Sequence, residues 1–161
     1  MRKRVIDDSS IGSAFGAATT AAGGWLDVGK LALVEVTSEE AARPVESALL
    51  PGASAGWRAA APGEQTLRVV FDEPLNLRRV FLLFRGEESP RTQEFVLRWA
   101  ADGQPYREIV RQQFNFSPGG AAREAEDYKV ELNGVRALEL RIVPDISGGA
   151  ARATLEQLRL A

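Results

Sequence analysis

Short runs of alternating apolar and polar residues, each stopped by a turn signal, recur along most of this chain and restrict its fold more than any other feature. LALVEVTS (31–38), VESALL (45–50), QTLRVVF (65–71), LRRVFLLF (77–84), QEFVLRW (93–99), YREIVRQ (106–112), DYKVEL (127–132), RALELRIV (136–143) and ATLEQLRL (153–160) are all strand-sized. Between them stand PG at 51–52, DEP at 72–74, SP at 89–90, DG at 102–103, SPGG at 117–120, NG at 133–134 and SGG at 147–149. A period of two puts alternate side chains on one face. Breaks at this spacing predict an all-β sandwich rather than alternating helices and strands. The last run also fits helical spacing through Leu155 and Leu158, and is read as the closing strand.

The length of 161 residues suits one domain with its own core. Residues 8–24 are rich in Ser, Gly, Ala and Thr, which predicts a flexible or loosely packed N-terminal arm over 1–30 ahead of a sandwich over 31–161. Within EFVLRWAADGQPYREIV (94–110), Phe95, Leu97 and Trp99 share one strand face, Asp102-Gly103 supplies a tight hairpin, and Tyr106 is expected to re-enter beside the same core.

Composition removes whole classes of chemistry. The chain has no Cys and no His, so disulfides, thiolate or imidazole metal sites and every Ser-His-Asp arrangement are out. No cofactor and no metal site is expected: the acidic run Glu124, Glu126, Asp127 lacks the spacing and glycine of a calcium loop. The net charge of −2 gives no electrostatic case for nucleic acid or an anionic membrane. MRKRVIDDSS meets two aspartates where a secretory leader needs an apolar run, so a cytoplasmic location is expected, with no membrane span. Gly24-x4-Gly29-Lys30 is followed by Leu31, not the Ser or Thr that a phosphate-binding loop uses on magnesium. Acids are plentiful, but no pair stands in a motif that would single it out for glycoside hydrolysis, and the chain is read as not an enzyme.

The hairpin segment 94–110 resembles the central hairpin of the discoidin, or coagulation-factor type C, domains: an alternating strand beginning with Phe, an Asp-Gly turn, then an aromatic and an aliphatic pair. The flanks follow the same order. GWRAA (56–60) is similar to the family's early tryptophan segment and TLRVVFDEPLNLRRVFLLFRG (66–86) to its paired core strands. VRALELRIVPD (135–145) is similar to the late strand, and SGGAARATLEQLRL (147–160) to the closing Gly-Gly loop and final strand. The resemblance covers roughly residues 45–160. It implies a jelly-roll, galactose-binding-like β-sandwich and a non-enzymatic module for glycans, lipid head groups or proteins. It also implies an inward-packed Trp57. The chain departs from the family in having no disulfide and no acidic residue in PGASAGW (51–57), where many members hold calcium.

On an up-and-down path, the short turns at 72–76, 100–105 and 133–135 share one end of the sandwich. The long loops at 51–64, 85–92, 113–126 and 144–152 share the other. Long loops on a rigid scaffold carry binding, and the resemblance places its ligand end there too. A sugar needs an apolar surface beneath its C–H face and forked donors for its hydroxyls. Phe114, Asn115 and Phe116 with Arg85, Arg91 and Arg152 are therefore the candidate contacts. Glycan recognition is the first expectation. A protein ligand, with the chain acting as an intracellular interaction or scaffold domain, stays open beside it.

Overall fold

The computed structural model describes residues 1–6, 24–53, 55–86, 90–117, 120 and 122–161. Its strands are β1 (Arg2–Val5), β2 (Ala32–Val36), β3 (Trp57–Arg58), β4 (Gln65–Arg85), β5 (Arg91–Ala101), β6 (Arg107–Phe116), β7 (Arg123–Val143), β8 (Thr154–Leu155) and β9 (Gln157–Leu160). Two short helices, α1 (Val28–Leu31) and α2 (Glu46–Leu49), complete it. The expected all-β sandwich is present. One layer runs β1-β2-β4-β7-β5-β6, using the first part of β4 and the last part of β7. The other is built from the remaining parts of β4 and β7 with β9. Leu67, Val69 and Phe71 from the first layer and Val80, Leu82 and Phe84 from the second are buried between them. Phe84 stacks on Phe95 of the opposite layer at 5.1 Å.

Two expected turns prove to be bends. Residues 65–71 and 77–84 form the single strand β4, and the stretch around Pro74 is an irregularity in its ladder with β7. Proline, with no N–H to give, is tolerated at such a break. Likewise 127–132 and 136–143 belong to β7, and Asn133-Gly134 is a bulge rather than a hairpin. Gly134 takes φ +68°, and its N–H donates to Asn76 Oδ1 at 3.0 Å. A positive φ serves a bulge as well as a turn, so the dipeptide alone does not separate them. The facing parity of β4 also switches here, from Leu67, Val69 and Phe71 to Val80, Leu82 and Phe84.

The run 45–50 holds the helix α2, Glu46–Leu49, not a strand. Val45, Ala48 and Leu49 fit helical spacing and are all buried, Pro44 stands just before the first turn and Pro51 follows the last. Arg159 donates to the Ala48 and Leu50 carbonyls at its C-terminal end. Of the expected arm, 7–23 lies outside the described residues. Its flanks are packed: β1 pairs in parallel with β2, and Val28 and Leu31 join the core.

Candidate functional site

The long loops do gather at one end. Arg91 of β5 pairs with Phe116 of β6, and Gln65 of β4 with Ile142 of β7, beside the starts of the connections on either side. The sequence-derived candidates there are largely engaged with their own neighbours. Phe116 is 2% exposed and lies under the Arg91 guanidinium at 4.6 Å. Arg91 also donates to the Pro144 carbonyl at 2.5 Å. Phe114 is half-buried and meets Phe116 edge-on at 4.9 Å. Asn115 is exposed and accepts from the Thr92 hydroxyl at 2.6 Å. Arg85 pairs with Glu156 at 2.9 Å, and Arg152 with Glu40 at 2.8 Å, away from the phenylalanines. Thus Arg91, Phe114, Asn115 and Phe116 come together, and Arg85 and Arg152 serve other ion pairs. Trp57 is buried, with its indole N–H on the Ser38 carbonyl at 3.0 Å.

A better-formed concavity lies on the outer face of the first layer. Register sets one row of directly opposed residues across five strands: Arg4, Glu35, Arg68, Glu139 and Arg98. Opposed residues share a face, so this is an alternating charge ladder at right angles to the strands. Arg4 Nη2 donates to Glu35 Oε1 at 2.7 Å, Arg68 Nε to Glu139 Oε2 at 2.7 Å, and Arg98 Nε to Glu139 Oε1 at 2.9 Å. Burial alone would raise the Glu139 carboxyl, but the two guanidinium hydrogen bonds outweigh it and hold it below its ordinary value.

Two residues further along the strands, the next row is Leu33, Val70, Ala137 and Ala100, with Arg2 at its outer end. These short apolar side chains form the floor of a groove of about 940 Å³. Arg4, Glu35 and Arg68 of the charged row flank it on one side, and Asp72, Arg136 and the Asp102–Gln104 hairpin line it as well. Asp72 is buried and accepts from Arg2, while Arg136 donates to the Asp72 carbonyl at 2.7 Å.

Tyr106 completes the groove, and it is the residue the sequence reading misplaced. Arg107 stands opposite Trp99, the inward-facing residue, so Tyr106 falls on the outer face with Arg98 and Glu108. Its ring covers the Arg98 guanidinium at 5.1 Å. Burial, and then the Glu139 charge, push its hydroxyl upward, so it stays a neutral donor. The hairpin itself is as expected, with Gly103 at φ +68° and the Gln104 N–H on the Ala101 carbonyl at 3.1 Å. No single segment could have revealed the groove, because its residues come from five strands between Arg2 and Ala137.

The second polar cluster lies between the layers. Glu124 is 2% exposed, with Glu126, Gln93, Gln112 and Tyr128 around it. Burial and then the Glu126 charge raise its carboxyl to about 7. Among the described residues no three acidic side chains converge to hold a metal, and no helix is long and apolar enough to cross a membrane.

No family model and no curated protein sequence matches this chain. Solved structures do. The module CBM32-3 of a family 31 glycoside hydrolase from Clostridium perfringens superposes with a TM-score of 0.63 at 15% identity, over 84% of this chain and 93% of that one. CBM32 of AlyQ, in complex with 4,5-unsaturated mannuronic acid, gives 0.59 at 14% identity, over 82% and 95%. The family 32 CBM of C. perfringens NanJ, in complex with galactose, gives 0.56 at 13% identity, over 79% and 90%. At these identities the likeness establishes the fold alone: the chain is a β-sandwich of the kind seen in these CBM32 modules.

Proposed function

We propose that this protein is a non-catalytic glycan-binding module and that the sugar lies in the outer-face groove. One observation carries the reading: a floor of short apolar side chains, flanked by an aromatic ring and by guanidinium groups, on an open sheet face. A pyranose offers a C–H face to such a floor and to the Tyr106 ring, and its hydroxyls suit forked donors. Fold relatives crystallised with galactose and with an unsaturated mannuronic acid support the ligand class.

The pairing of the acids supports binding without cleavage. Hydrolysis of a glycosidic bond uses one carboxyl as proton donor and another as base or nucleophile. In the groove, Glu35 is held by Arg4 and Asp72 by Arg2, Asp102 stands 3.6 Å from Arg136, and Glu139 beside the groove is held by Arg68 and Arg98. Such pairing keeps these carboxylates occupied, and at Glu139 the two guanidinium bonds also hold the carboxyl below its ordinary value. Among the described residues the one carboxyl raised toward neutrality, Glu124, is buried between the layers and does not line the groove.

The test is a glycan-binding panel with wild-type protein and Tyr106→Ala. Wild type should retain members of one sugar class, and Tyr106→Ala should lose that retention at least tenfold with its melting temperature within a few degrees. Retention unaffected by Tyr106→Ala would move the site out of the groove. A silent panel would overturn the glycan reading in favour of a protein ligand.

A further inference from the structure

Resting on the glycan reading, we propose that the groove takes a linear acidic oligosaccharide in which a uronic acid alternates with an uncharged sugar, laid across the strands. The first argument is what the charged row shows to solvent. The side chains of Arg4, Arg68 and Arg98 are 33%, 31% and 29% exposed, whereas those of Glu35 and Glu139 are 6% and 1% exposed. A ligand therefore meets guanidinium groups, with the carboxylates hidden beneath them. Within these five strands three guanidinium groups stand over two hidden carboxylates, and Glu108, next along the row on β6, is drawn to Arg111. Arg68 uses Nε on Glu139 and turns Nη1 toward Glu35, so its Nη2 has no partner among the described residues. Arg98 uses Nε and Nη2 on Glu139 and keeps Nη1. A carboxylate is the group such donors bind most strongly.

The second argument is spacing. In the order β1-β2-β4-β7-β5 the arginines stand on alternate strands. Neighbouring strands are ~4.8 Å apart, so successive arginines are about 10 Å apart. That is the scale of a disaccharide repeat rather than of a single sugar. A chain with a carboxylate on every second residue can present one to each guanidinium in turn. A homopolymer of uronic acid would set every other carboxylate over Glu35 or Glu139, where no donor faces outward. The apolar row beside the ladder gives the intervening uncharged sugars a surface to rest on.

The test is titration calorimetry at low and moderate salt with three probes of equal length: a hyaluronan hexasaccharide, hexagalacturonate and neutral xylohexaose. The hyaluronan probe should bind at least tenfold more tightly than the other two, and more weakly as salt rises. Glu35→Gln, which removes a buried negative charge and keeps both arginines, should tighten that probe several-fold. The double variant Arg4→Gln/Glu35→Gln, which leaves no orphaned partner in that pair, should weaken it at least tenfold with the melting temperature retained. Damage to the fold alone would not tighten binding in the first variant. Equal or tighter binding of xylohexaose would overturn this inference and leave the glycan reading standing. Equal binding of hexagalacturonate would overturn the alternating pattern. No binding of any probe, together with a silent glycan panel, would overturn both.

Discussion

Glu124 carries a carboxyl oxygen, Oε1, that is buried without a hydrogen-bond partner, while its other oxygen is 3.5 Å from the Gln93 amide. An unsatisfied buried acceptor is tolerable when the group is neutral and expensive when it is charged. Its folded-state value of about 7 lies above the ordinary 4.5, so the native state holds the proton more tightly than the unfolded chain. Stability from this group is then complete below about pH 4.5 and is lost as pH rises through about 7. A shift of this size corresponds to at most about 3 kcal/mol. Glu124→Gln keeps the shape and cannot ionise. It should flatten the fall in melting temperature expected of the wild type between pH 5 and pH 8, and calorimetry at those two pH values would measure it. An unchanged fall in the variant would assign the pH dependence elsewhere.

At the scale of elements, two glycines separate conformational from steric strain. Gly134 occupies the β7 bulge at φ +68° with open space where a Cβ would stand. Gly134→Ala should therefore destabilise by about 1 kcal/mol, the cost of a left-handed backbone alone. Gly86, just past β4, has an ordinary backbone, but a Cβ there would stand 2.6 Å from Phe116 Cδ1 and 2.8 Å from its Cβ. Phe116 is in the core and cannot swing away, so Gly86→Ala should cost more, roughly 1–3 kcal/mol. Denaturant unfolding of both variants would rank them; the reverse order would mean that the end of β4 yields easily.

The same elements show what could be read from the chain in advance. Period-two runs marked β5, β6 and both halves of β4 and β7, because apolar side chains recur at every second position on their inner faces, as at Phe95, Leu97 and Trp99 or Leu138, Leu140 and Ile142. The bends were misread because Pro74 and Asn133-Gly134 serve a turn and a bulge by the same backbone chemistry. VESALL was misread because its strand-like length and the Pro-Gly after it outweighed the helical spacing of Val45, Ala48 and Leu49. Tyr106 was misplaced because one residue of register decides which face it takes. The charged row was invisible for a different reason. Each of its members looks like an ordinary outward-facing polar residue until strand order sets them side by side.

At the scale of the whole molecule, the two best-buried carboxyls pull acid stability in opposite directions. Glu139 sits below the ordinary value, so its contribution is present above about pH 4.5 and is lost as pH falls through its lowered folded value. Glu124 acts in the reverse sense over the interval above. For these two groups together the protein should be most stable near pH 5. Replacing Glu139 with Gln, which leaves Arg68 and Arg98 facing each other without their shared anion, should remove roughly 3–5 kcal/mol. Urea titrations of wild type and Glu139→Gln from pH 3 to pH 8 would show both effects; a wild-type maximum near neutrality would contradict the assignment.

The long strands β4 and β7 belong to both layers, since one continuous ladder passes from the first sheet through the bends into the second. Neither sheet can open while the other stays intact, because each ends in backbone the other is using. Amide hydrogen exchange should therefore find no subglobal opening that separates them. Protons at Leu67 and Val69 in the first layer and at Leu82 and Phe84 in the second should exchange together, through the same global unfolding event. A groove on the outside of one sheet is in this way anchored to the cooperative stability of the entire sandwich, and a ligand bound there would slow exchange on the far layer as much as on its own.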